Sequence, residues 1–210
     1  MEKASEYLER TRSAAVHLFN GIDSYMAILR DSKPAVLVGN YASAEAHEAN
    51  LEKWATQNAD QIEAAMAAQR SFVAEKYALA TLCGSVLQIA SMAIRLYSTN
   101  TAVNQDFADV VKGNKVAYCV GRLVRGVPLG LVIYAARNQY NHVDDGHLRE
   151  PSATVFDRLA TNHGYGTNLR DPAFDLALGL VWNYPSNVTN LVGWRSYAAY
   201  ECDMKSLLQV

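Results

Sequence analysis

Residues 60–96 read DQIEAAMAAQRSFVAEKYALATLCGSVLQIASMAIRL, and this stretch decides the fold class. Ile62, Met66, Val73, Tyr77, Ala80, Leu87 and Ile94 recur at three-, four- and seven-residue steps, the period of one helix face. Asp60 followed by Glu63 has the form of a capping box, in which each side chain satisfies an orphan amide of the first turn. The spacing predicts one long helix reaching Leu96, with Gly84-Ser85 as a place to bend. Toward its end apolar residues fall on several faces, so that part is expected to be deeply buried.

Helical signals extend outward in both directions. Residues 3–30 place Leu8, Ala15, Leu18, Phe19, Ile22, Met26 and Leu29 along one amphipathic face. Lys33-Pro34 is the expected stop, since the residue before proline is pushed away from helical angles. Residues 43–56 are helix-prone but mostly polar, with Leu51 and Trp54 as anchors, which predicts a peripheral helix. Residues 98–114 are rich in Ser, Thr, Asn and Gly and form the main break.

A short helix is expected over 115–124, and Pro128 suits the first position of the next one. Ser152 is expected to cap a helix carrying Val155, Phe156 and Leu159. Asp171-Pro172 is expected to open another through Phe174, Leu178 and Val181, broken at Pro185. A last helix over 187–208 presents Leu191, Trp194, Ala198, Met204 and Leu208; Trp182 and Trp194 read as core. Strand alternation and internal repeats are absent. The pattern predicts one all-α domain over 1–210, an antiparallel helical bundle.

Half the residues are hydrophobic, enough for a substantial core. The net charge of −2 excludes a protein that coats nucleic acid with its whole surface, so any such contact must be local. The three cysteines, Cys83, Cys119 and Cys202, are widely spaced and lack a C-x-x-C pair, which suits reduced thiols and a cytoplasmic location. The polar start of the chain is unlike a secretory signal, and no uncharged run approaches the roughly 20 residues of a membrane span.

The chemistry-bearing stretch is Arg137-Asn138-Gln139-Tyr140-Asn141-His142, preceded by the apolar run Leu131–Ala136 and followed by Val143-Asp144-Asp145-Gly146. An arginine holds phosphate and a histidine moves protons near neutral pH. The pairs Arg12/His17, Arg10/His17 and Arg158/His163 have comparable spacing, but lack the following Asn and the acidic sequel. Between Lys112 and Val143 lie five basic residues, Lys112, Lys115, Arg122, Arg125 and Arg137, and no Asp or Glu. This is the one sizeable stretch of single-sign charge, and it surrounds the motif. In an unbroken helix five residues turn a side chain by about 500°, leaving Arg137 and His142 roughly 140° apart. To share a phosphate, either the helix must end near Tyr140-Asn141 or two copies must face each other.

The hexapeptide resembles the signature of the HEPN (higher eukaryotes and prokaryotes nucleotide-binding) family, in which an Arg, often followed by Asn, precedes a His with four to six residues between them. The resemblance covers roughly residues 60–160 and implies a four-helix core with helices appended. It implies a metal-independent endoribonuclease without cofactor, in which the RNA's 2′-hydroxyl is the nucleophile. His142 would serve as general acid or base, Arg137 as phosphate ligand, and Asn138 as a positioning or hydrogen-bonding group. Arg122, Arg125, Tyr140, His147 and Arg149 would contact RNA, Tyr140 by stacking. A homodimer, a role as toxin or effector in a toxin–antitoxin or antiphage system, and control by an antitoxin or other regulatory protein are further implications.

Two alternatives remain open. The bundle could bind a protein or nucleotide without catalysis. Or His142 and His147, with Asp144 and Asp145 between them, could hold a metal ion for a hydrolase. No G-x-x-x-x-G-K-[ST], G-x-S-x-G or G-x-G-x-x-G pattern occurs, which removes P-loop, esterase and dinucleotide-binding readings.

Overall fold

The computed structural model describes residues 3–30, 35–39, 42–142, 148–164, 166, 169–178 and 184–210. The fold is an all-α helical bundle. Its helices are α1 (Ala4–Arg30), α2 (Ala44–Gln57), α3 (Ala59–Ala74), α4 (Lys76–Tyr97), α5 (Leu129–Asn141), α6 (Ser152–Thr161), α7 (Tyr184–Leu191) and α8 (Tyr197–Leu208). The chain groups into two compact units, Met1–Asp23 with Tyr77–Val210, and Ser24–Lys76.

The larger unit is built around α5. Leu129, Leu131, Val132, Ile133, Ala135 and Ala136 are all fully inaccessible, the all-round apolarity of a helix surrounded by others. α6 and α7 pack against it, bringing Val155, Phe156 and Leu159 from one and Tyr184 and Val188 from the other. Phe156 and Tyr184 meet with ring centroids 5.0 Å apart. Burying each large apolar side chain contributes about 1.5–3 kcal/mol. α4 adds Val86, Leu87, Ala90 and Ile94, and α1 adds the stripe Leu8, Ala15, Phe19 and Ile22 read from its periodicity. By length and composition α4 alone among the described helices is apolar enough to cross a membrane, yet 56% of its most apolar window is buried inside the protein, as in a core helix.

The smaller unit contains α2 and α3, neither of which buries a residue. Ser43 caps α2 by accepting from the Ala46 amide at 3.2 Å. Leu51, one expected anchor, is 41% exposed. The capping box at Asp60 and Glu63 does not form, because α3 already starts at Ala59, with Asn58 preceding it and no side-chain cap.

Several other boundaries differ from the sequence expectation. The long helix breaks at Glu75 (φ −91°, ψ 4°) rather than at Gly84-Ser85. Gly84 is instead a packing site: a Cβ there would lie 2.6 Å from Tyr140 Cε1, so only glycine lets that ring cross α4. Residues 113–118 form a 3-10 turn, and 123–128 form a small antiparallel hairpin pairing Leu123 with Pro128 and Val124 with Val127. Its turn residues Arg125 (φ 50°) and Gly126 (φ 80°) both sit in the left-handed region that such tight hairpins require.

Ser152 does not cap α6. It is 1% exposed, and Glu150 accepts from the Thr154 amide at 3.2 Å instead. The stretch from Asp171 holds a turn and a 3-10 segment, Leu176–Leu178. Pro185 lies in the first turn of α7, where its missing N–H has no cost, rather than ending a helix. The final helix is two, α7 and α8, separated by 192–196. The expected stop at Lys33-Pro34, and the positions Val181 and Trp182, lie outside the described residues.

Candidate functional site

α5 carries the motif and ends where the sequence left room for an end. Its last residue is Asn141, and His142 (φ −124°, ψ 34°) is the C-cap, its amide donating to the carbonyls of Asn138 at 3.0 Å and Gln139 at 3.3 Å. His142 is exposed, just beyond the last turn of α5. Tyr140 is half-buried over Gly84. That contact leaves it a packing role beside the stacking one read from sequence.

Arg137, like Tyr140, faces α4. Its Nε donates to Gln88 Oε1 at 2.7 Å and its Nη1 to Asn138 Oδ1 at 3.2 Å. With its amide turned to satisfy both groups, Asn141 Oδ1 accepts from Arg137 Nε at 2.9 Å and Nη2 at 3.3 Å. Every one of these acceptors is a neutral amide. They orient the guanidinium without cancelling its charge, and leave roughly two of its five N–H groups for a ligand. Asn138 in turn approaches the buried Ser152 Oγ, with Nδ2 at 3.4 Å, which ties the motif to α6.

Arg137 and Asn138 line a cavity of about 230 Å³ between α4, α5 and the 113–118 turn. From α4 come Gln88, Ser91, Met92 and Arg95; from the turn come Asn114 and Tyr118; from α5, Tyr134. Tyr118 forms the floor: its hydroxyl donates to the Ser91 carbonyl at 3.1 Å and lies 3.1 Å from Ser91 Oγ. The rings of Tyr118 and Tyr134 meet at 4.8 Å. Among the described residues the lining thus holds two guanidinium groups, several amides and no carboxylate. Arg95 is the member that sequence reading missed.

The other expected RNA ligands are placed elsewhere. Arg122 makes a two-pronged pair with Asp203, both bonds at 2.9 Å, and donates to the Val192 carbonyl at 2.5 Å. The Asp203 hydrogen bonds hold the Arg122 pKa above its ordinary value. Arg125 pairs with Asp171 at 2.8 Å, donates to the Leu159 carbonyl and lies 5.0 Å over the Phe174 ring. Lys115 donates to the Glu150 carbonyl at 2.8 Å. The basic run of the sequence is therefore dispersed, its arginines at 122 and 125 committed to internal carboxylates. Arg149 is exposed, just before α6.

His147, with Asp144 and Asp145, lies outside the described residues. Among the described residues no group of three or more His, Cys, Asp or Glu side chains converges as a metal site. The decoy histidines have local bonds: His17 lies 2.7 Å from the Ser13 carbonyl and His163 Nε2 2.5 Å from the Leu169 carbonyl. Of the cysteines, Cys202 is exposed, whereas Cys83 is buried, and burial pushes its thiol up to about 11.

Fold and site together define a helical bundle with a cationic, amide-lined cavity beside a histidine-capped helix end. Comparison with family models, curated proteins and solved structures gave no match to this chain.

Proposed function

We propose that the protein is an endoribonuclease of the HEPN type, with Arg137, Asn138 and His142 as its working residues. The observation that supports this most is the Arg137 guanidinium, held by neutral amides at the wall of a cavity to which no described residue brings a carboxylate. Such a group keeps its full charge for phosphate. In the reaction the RNA 2′-oxygen forms a bond to phosphorus as the bond to the 5′-oxygen breaks. The His142 imidazole takes the 2′-hydroxyl proton or supplies one to the leaving oxygen. A second imidazole or water completes the transfer. The products are a 2′,3′-cyclic phosphate and a 5′-hydroxyl. Arg137 stabilises the charge gained in the transition state.

Because His142 is not part of the cavity lining, the proposal includes a homodimer in which His142 of one copy serves phosphate held by the other. The cytoplasmic toxin or effector role, and an antitoxin or other regulatory partner, belong to the same reading. The same placement of His142 favours a second reading: a non-catalytic bundle that binds a nucleotide through Arg137.

Purified protein incubated with total RNA decides between them. The nuclease reading expects cleavage that survives EDTA, is lost in His142→Ala with unchanged helical circular dichroism, and persists in His17→Ala. Absence of cleavage by folded wild-type protein sinks it. Activity lost to EDTA and restored by zinc or manganese moves the chemistry to His142 and His147.

A further inference from the structure

We infer that Arg95, on α4, completes with Arg137 a pocket for one phosphate group, recognised by two guanidinium groups and a ring of amides. This deepens the nuclease reading and rests on its assignment of Arg137 to phosphate. Three observations carry it.

The first is charge. Arg95 and Arg137 face one cavity, and neither has an ion pair with a described carboxylate, whereas Arg122, Arg125 and Arg170 each have one. Holding two like charges at one cavity is unfavourable unless an anion joins them. The second is hydrogen-bonding chemistry. Gln88, Asn114 and Asn138 bring amide groups to the same wall, and Tyr134 adds a hydroxyl. A phosphate offers several acceptor oxygens, and guanidinium forks match them in pairs.

The third is size. A cavity of about 230 Å³ is below the roughly 300–1,000 Å³ of pockets that enclose whole drug-sized ligands. It has room for a phosphate with its sugar, the base remaining outside. The phosphate could be the terminal monoester of a nucleotide or an internal diester of an RNA strand.

Isothermal titration at low salt separates these sources and tests the pocket. Probes are inorganic phosphate, adenosine 5′-monophosphate, adenosine, and the diester adenylyl-3′,5′-adenosine with a 2′-deoxy group at the cleavage position. The phosphate-bearing probes are expected to bind and adenosine is not. Preference for the monophosphate over the diester assigns a terminal phosphate, and the reverse assigns an internal one.

Arg95 is exposed, so Arg95→Ala is expected to fold, and it should weaken binding about tenfold, in line with losing one charged hydrogen bond. Asn114→Asp keeps the shape but adds a carboxylate, and should weaken the dianionic monophosphate more than the monoanionic diester. Equal affinity in wild type and in both variants overturns the pocket, even if wild type and Arg95→Ala still cleave RNA. Phosphate binding that depends on Arg95, in a protein that never cleaves RNA, keeps the pocket and removes the nuclease reading.

Discussion

Tyr200 shows how strongly single positions are constrained in the larger unit. Its ring lies 5.7 Å from Phe19, 6.0 Å from Tyr197 and 5.0 Å from Trp194, the last nearly edge-on. The side chain is 2% exposed, and its hydroxyl has no hydrogen-bond partner among the described residues. A buried hydroxyl without a partner loses its hydration for nothing, about 1–3 kcal/mol. Tyr200→Phe is therefore expected to raise stability by roughly 1 kcal/mol in urea unfolding.

A pH signature accompanies this. Burial pushes the phenol pKa well above its ordinary 10.0. The unfolded chain ionises first, so stability is full below pH 10 and falls as pH rises past it. In Tyr200→Phe that alkaline loss should shrink. A variant less stable than wild type at pH 7 refutes the unsatisfied-hydroxyl account.

The same scale shows what was legible. Arg137, Asn138 and His142 lie within one six-residue stretch, and local context made them candidates. Arg95 was missed because its relation to Arg137 exists only across two packed helices. A signal was present: Gln88, Ser91 and Arg95 step by three and four along an otherwise apolar helix, a polar stripe aimed at one place. Conversely, Arg122 and Arg125 looked free because Asp203 and Asp171 lie far along the chain, invisible to a reading of local charge.

At the scale of elements, period reading found the helices and misplaced their ends. α1 and α5 were legible because their apolar stripes are long and strong. The break at Glu75 was not, since no Gly or Pro marks it, and Pro185 misled because proline serves a helix's first turn as well as its end. The cap forecast at Ser152 failed for a tertiary reason: that hydroxyl is buried against Asn138. Burial also separates the helices energetically. α5 has eight buried residues between Leu129 and Gln139, α2 and α3 none. Amide protection should follow. Hydrogen exchange is expected to be slowest in 131–136 and faster by orders of magnitude in 44–74, where opening requires little exposure of apolar surface. Equal protection in both segments contradicts that ordering.

For the whole molecule, the question is how a chain of net charge −2 would hold the RNA proposed as its substrate. With Arg122 and Arg125 paired internally, one copy offers Arg95 and Arg137 as the cations of its cavity. Single-stranded binding loses about 0.7 in log K per log salt for each phosphate neutralised. Because both guanidinium groups meet one phosphate, one copy acting alone should then show a slope of about −0.7, and two copies sharing a strand about −1.4. The proposed homodimer therefore predicts the steeper slope, together with about twice the monomer mass in sedimentation at micromolar concentration. It also predicts complementation: mixing Arg137→Ala with His142→Ala should restore partial cleavage, because a mixed dimer keeps one intact arginine facing one intact histidine. A shallow slope, a monomer that cleaves at full rate, or failure of the mixed variants to exceed either alone would each place both groups of one site on a single chain.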